Sequence, residues 1–257
     1  RLQYTFDPKP QRASWGGASY FSQDQGNRDF SLFGVDARVS LGENAQLTAE
    51  AAQSSHDFDG TGTVNGGAYR VELEGSLGGL NGRTYFRTTD PGFSNSASTS
   101  FVPGQTRYGA QLSCQLGSTT SVRAQFDQEN NFGTTPRIDT SLSPLLSGLT
   151  STPGERLDNS LPTYSVGLTQ KLGNSTAEID WIHRDRTDRL TDLGTVSSDQ
   201  LRSRFTTPLA RNLTLVAQNE LNLSSDVDPI YPSRTLVGIN WEAMPGINVG
   251  LNQIFYG

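Results

Sequence analysis

Four times along this chain an aromatic residue is followed eight positions later by a leucine of the same parity: Phe33 and Leu41, Tyr69 and Leu77, Tyr108 and Leu116, Tyr164 and Leu172. The residues between them alternate. Phe33-Val35-Ala37-Val39-Leu41 interleaves with Asp36, Arg38 and Ser40, and Tyr69-Val71-Leu73-Gly75-Leu77 with Arg70, Glu72 and Glu74. Tyr108-Ala110-Leu112-Cys114-Leu116 interleaves with Gln111, Ser113 and Gln115. A period of two marks a β-strand with one apolar and one polar face. Eight residues of strand rise roughly 27 Å, and a tilt of about 40° leaves roughly 20 Å along the normal, close to the apolar height of a bilayer.

The strands that follow the turns behave alike: Val122-Ala124-Phe126 against Arg123 and Asp127, Ala177-Ile179-Trp181 against Glu178 and Asp180, Leu213-Leu215-Ala217 against Thr214 and Gln218. Hydrophobic residues make up only 33% of the chain, and no apolar run is long enough for a spanning helix. A sheet that crosses lipid reads this way, because only alternate residues touch hydrocarbon and the backbone is satisfied between strands. The net charge of -6 argues against a nucleic-acid partner. The one cysteine, Cys114, lies on an apolar stripe and excludes an internal disulfide.

Fourteen alternating runs are expected, near 1–7, 14–22, 31–41, 45–53, 68–77, 82–89, 106–116, 120–128, 163–172, 176–185, 200–209, 213–223, 233–243 and 247–256. Short turns such as Gly42-Glu43-Asn44 alternate with long polar connections such as 54–67, 90–105 and 130–162. Short turns on the periplasmic side and long loops outside make 31–41 a descending strand. Phe33, Tyr69, Tyr108 and Tyr164 then open descending strands while Phe126 and Trp181 close ascending ones, so all six are expected in a girdle at the outer interface. If Leu77 faces Gly82 across its hairpin, Glu72 faces Arg87 and Glu74 faces Tyr85 on the polar side.

These alternating strands, Leu-Gly turns, long loops and aromatic positions resemble bacterial outer-membrane β-barrel proteins of the porin type, across nearly the whole chain. The expected architecture is all-β: a single antiparallel transmembrane barrel over residues 1–257, with about fourteen strands visible and further strands of a larger barrel expected beside the first and last. The resemblance implies residence in the bacterial outer membrane, contact with its lipid, and either passive diffusion of small hydrophilic solutes or ions, or anchoring of a larger surface or envelope assembly. Other subunits or flanking domains are the partners expected. A soluble sandwich or solenoid is the alternative, and it would fold without detergent.

On the polar parity the expected pore-lining residues are Arg38, Glu50, Arg70, Glu72, Glu74, Arg83, Arg87, Arg107, Arg123, Asp127, Glu178, Asp180, Arg202, Arg204 and Glu220. Opposed charges would set up a field across a water path; the competing reading has them pair and fill the interior. The connection 130–162 is long enough to reach into the mouth and constrict it, or its leucines could meet a partner. Catalysis is not expected: His183 in WIHRDR lies near Asp180 and Asp185, but no serine motif or second acid stands at a diagnostic spacing. Cofactors and metals are not expected either, since His56, Asp57 and Asp59 fail the spacing of a calcium loop.

Overall fold

A computed structural model describes residues 1–8, 12–24, 26, 28–58, 62–95, 102–134, 155–191, 194–224 and 230–257. The strands are β1 (Leu2–Asp7), β2 (Ser14–Asp24), β3 (Arg28–Leu41), β4 (Ala45–Phe58), β5 (Thr63–Leu77), β6 (Leu80–Thr89), β7 (Gln105–Leu116) and β8 (Thr120–Thr134). They continue with β9 (Arg156–Leu172), β10 (Ser175–Asp188), β11 (Thr195–Ala210), β12 (Leu213–Asn222), β13 (Arg234–Met244) and β14 (Ile247–Tyr256). All fourteen form one sheet in chain order, each hydrogen-bonded to its sequence neighbour. The described residues contain no helix. Among the described residues the strands match the expected number and antiparallel arrangement.

Two compact units divide the chain. The first comprises Arg1–Ala110, Asp127–Leu161 and Thr187–Gly194; the second comprises Gln111–Phe126, Pro162–Arg186 and Thr195–Gly257.

Within both units the usual burial rule is inverted. Val35, Leu41, Val71, Leu73, Leu112, Ile179 and Leu251 are exposed, whereas Glu72, Asp127, Glu129, Asp180 and Glu220 are buried. An apolar face this extensive and this open is stable only against a solvent as apolar as itself. The polar parity supplies the shielded face.

Strand ends differ from expectation on one side only. The ends at the short turns fall within two residues of the alternation, but β3, β4, β5, β8, β9, β10 and β11 run on at their other ends, β8 to Thr134 and β9 from Arg156. The hydrogen-bonded ladder persists there, with Arg28 paired to Phe58 and His56 to Val64. Beyond lipid nothing requires one face to be apolar, so the period-two signal fades while the backbone pairing continues. The long connection expected at 130–162 is thus strand at both flanks; residues 135–154 lie outside the described residues, as does Asp59.

The hairpin β5–β6 corrects the expected register by two residues. Leu77 pairs with Leu80, so Glu72 faces Tyr85, Glu74 faces Arg83 and Arg70 faces Arg87. The cause is the turn. Gly78 and Gly79 both have positive φ, 56° and 86°, the conformation of a two-residue turn whose twist matches the strands it joins. A slip of two keeps every side chain on its face, so parity alone does not fix the partners.

Candidate functional site

The polar face carries its charges in linked groups. In the first unit Glu72 lies at the centre of one: Arg83 grips it through Nε to Oε1 at 2.8 Å and a second nitrogen to Oε2 at 3.0 Å, and Arg70 reaches Oε2 at 3.0 Å. Glu50 lies 3.6 Å from Arg70, and Glu74 lies 3.7 Å from Arg83. A second group joins Arg107 to Asp127 by two bonds of 2.7 and 2.9 Å, with the Tyr85 hydroxyl donating to the same carboxylate. Bidentate guanidinium–carboxylate pairs fix geometry as well as charge.

In the second unit Asp180 takes Arg123 and Arg202 together, at 2.6 and 2.9 Å, and Glu178 stands 3.8 Å from Arg123. Room for this arrangement comes from Gly167. A Cβ at that position would lie 1.9 Å from Asp180 Oδ1 and 2.9 Å from Arg123 Nε. Glu220 pairs with Arg234 at 2.6 Å. Of the fifteen residues expected on this face, Arg38, Arg87 and Arg204 form no ion pair among the described residues.

Sequence reasoning missed the buried amides at the far ends of the strands. Gln105 donates to Asn131 at 3.1 Å, and Asn131 donates to Glu129 at 3.0 Å and to Asn159 at 2.9 Å. Uncharged residues on the polar parity give no signal of burial.

The six aromatic residues stand on the opposite parity. Phe126 and Tyr164 lie 5.0 Å apart between ring centroids, and Tyr164 lies 6.1 Å from the His183 ring. Trp181 stacks on His183 at 5.9 Å, so the histidine completes a row of aromatic side chains. Tyr108 meets Phe86 at 6.4 Å, Phe33 faces Tyr20 in register, and Tyr69 is exposed.

At the end of that row, His183 stands between two carboxylates, Nδ1 at 3.0 Å from Asp199 and Nε2 at 3.2 Å from Asp185. The Ser197 hydroxyl donates to Asp185 at 2.6 Å. A histidine held from both sides, with a hydroxyl on one of its acids, is an arrangement able to move a proton.

No known protein family matches the sequence, and no curated protein does. Among solved structures the chain is similar to OmpT, an outer membrane protein of Vibrio cholerae, at 12% identity, with 98% of this chain and 89% of that one covered and a TM-score of 0.49. It is also similar to a mutant of PfeA, the ferric enterobactin receptor of Pseudomonas aeruginosa, at 12% identity and a TM-score of 0.57, over 95% of this chain and 47% of that one. The chain spans about half the length of that receptor. An OmpT variant lacking loop L8 matches at a TM-score of 0.48.

One expectation is corrected. A chain without catalytic residues was expected because nothing in sequence placed a second acid or a serine beside His183; β11 brings both, as Asp199 and Ser197, and that ground is gone. The fold is that of a bacterial outer-membrane β-barrel, and with its apolar face open to lipid the chain belongs in the bacterial outer membrane.

Proposed function

We propose that this outer-membrane β-barrel is a porin-like channel, through which small hydrophilic solutes or ions diffuse passively along the polar face. One observation carries the reading: at a single level of the first unit, charges are segregated by sign. Asp36 pairs in register with Glu50, Glu50 with Arg70, and Arg70 with Arg87. Like charges set directly opposite each other cost stability. A wall built only to be filled would alternate them. Segregated acids and bases instead create a field across the water path that orients ions and dipoles. The fifteen charged residues line that path, and the six aromatic residues hold the outer interface.

Reconstitution in a planar bilayer tests the proposal. Stable conductance steps that grow with salt concentration are expected. A sealed membrane holding folded protein would sink the channel and favour a barrel that anchors a larger envelope assembly.

A second reading rests on His183. With Asp185 accepting a hydrogen bond from the Ser197 hydroxyl and His183 held between its two acids, the cluster has the parts of a hydrolytic site at the outer rim. On this reading the refolded protein turns over a fluorogenic ester or peptide, and His183→Ala lowers the rate at least a hundredfold, within the range typical of general acid–base groups. Equal rates in the two proteins, or none in either, would dismiss it.

A further inference from the structure

Among the described residues Arg87, the last of the segregated row, has no carboxylate partner. Arg70 has Glu50 and Glu72, but Arg87 has, among those residues, a single hydrogen bond, from a terminal nitrogen to Gln105 Oε1 at 3.2 Å, and its buried Nε has no partner there. The amide it meets is fixed rather than adaptable: Gln105 is buried, and its nitrogen donates to Asn131. That bond turns the Gln105 oxygen toward the guanidinium.

Arg87 is also crowded by its own sign. Arg70 faces it across the β5–β6 ladder. On the other side the hydroxyls of Thr88 and Thr106 lie 2.7 Å apart, and each is the chain neighbour of one of the two arginines, Arg87 and Arg107. The charges of Arg107, Arg70 and Arg83 repel Arg87, while that of Glu129 attracts it without bonding it. Three guanidinium groups in a row, the middle one lacking an acid, are costly to hold together unless something negative joins them.

We infer that Arg70, Arg87 and Arg107 form an oxyanion-binding step on the polar face, with Arg87 as its centre. The inference rests on the channel reading for the route by which the anion arrives. The ligand class is a small oxyanion, a phosphate or a carboxylate, because two oxygens on one centre match the guanidinium fork whereas a halide offers a single contact. Arg70 and Arg107 keep their own acids and contribute field and a second donor edge; Arg87 supplies the guanidinium charge that no carboxylate holds. Solutes carrying such a group would be held briefly here and released to either side.

The test uses the refolded full chain with inorganic phosphate as probe. Calorimetric titration in detergent is expected to show saturable binding, with Arg87→Gln weakening it at least tenfold. Arg87→Lys, which keeps the charge and loses the fork, is expected to weaken it nearly as much. Arg211→Gln removes an exposed arginine at the turn between β11 and β12, outside the lining, and is expected to bind phosphate as the parent does. In planar bilayers the parent is expected to prefer chloride over potassium and to lose chloride current when phosphate is added. Absence of binding heat, or equal affinity in Arg87→Gln and the parent, overturns the step. Conductance without chloride preference or phosphate block also overturns it and leaves the channel standing. A sealed bilayer removes the channel, and the titration then decides the step alone.

Discussion

Leu73→Arg is expected to destabilise the inserted protein by about 2–4 kcal/mol, the cost of a cation on the lipid face at mid-bilayer. Leu73 lies midway between Tyr69 and Leu77 and is 38% exposed, and in register it faces Leu47 on one side and Thr84 on the other. The same change at Leu77, beside the turn, is expected to cost no more than about 1 kcal/mol, because there the side chain reaches headgroups and water. Urea unfolding of the parent and both variants in lipid vesicles measures the difference. The depth dependence is the point. On a soluble sheet an exposed leucine changed to arginine costs little at either position, so equal effects at 73 and 77 would refute the lipid face.

The second large effect belongs to the polar side. Asp180→Asn keeps the shape of the side chain but leaves Arg123 and Arg202 converging on a neutral amide. The Asp180 side chain is only 3% exposed, while the two arginines are about two-fifths exposed and keep part of their hydration. Removing one partner from a buried charge group costs about 3–5 kcal/mol, and hydration of the arginines reduces that to about 2–3 kcal/mol here. Gly167→Ala reaches the same group from the neighbouring strand. Its added Cβ lies 1.9 Å from Asp180 Oδ1, so the carboxylate must leave one arginine to admit it. Both variants are expected to unfold at lower urea than the parent, Asp180→Asn the lower of the two. If Asp180→Asn unfolds with the parent, the group is ornamental to stability.

Much of this architecture was legible because lipid imposes a rule on every second residue. Tyr69 to Leu77 spells out its strand, its orientation and its two faces in nine positions. Where that rule stops, so does the signal: residues 28–30 and 129–134 are strand, yet nothing in their composition separates them from loop. Partners across a ladder were less readable than faces. The Gly78–Gly79 turn moved Arg87 from Glu72 to Arg70, replacing an attractive pair with a repulsive one, and the proposed anion step follows from that exchange. The His183 group was hidden for another reason. Asp199 and Ser197 are sixteen and fourteen residues away and meet the histidine only because β10 and β11 are adjacent, a proximity that spacing along the chain does not encode.

The overrunning strands have a consequence for how such a protein changes over time. From Phe33 to Arg28 the β3–β4 ladder continues five residues past the aromatic level, roughly 16 Å of strand. Whatever connects β4 to β5 or β8 to β9 therefore starts from backbone already tied down beyond the proposed aromatic girdle. Insertions, deletions and exchanges in those connections need not disturb the inserted wall. The membrane part is held to the strict alternation that lipid enforces, while the connections are released from it.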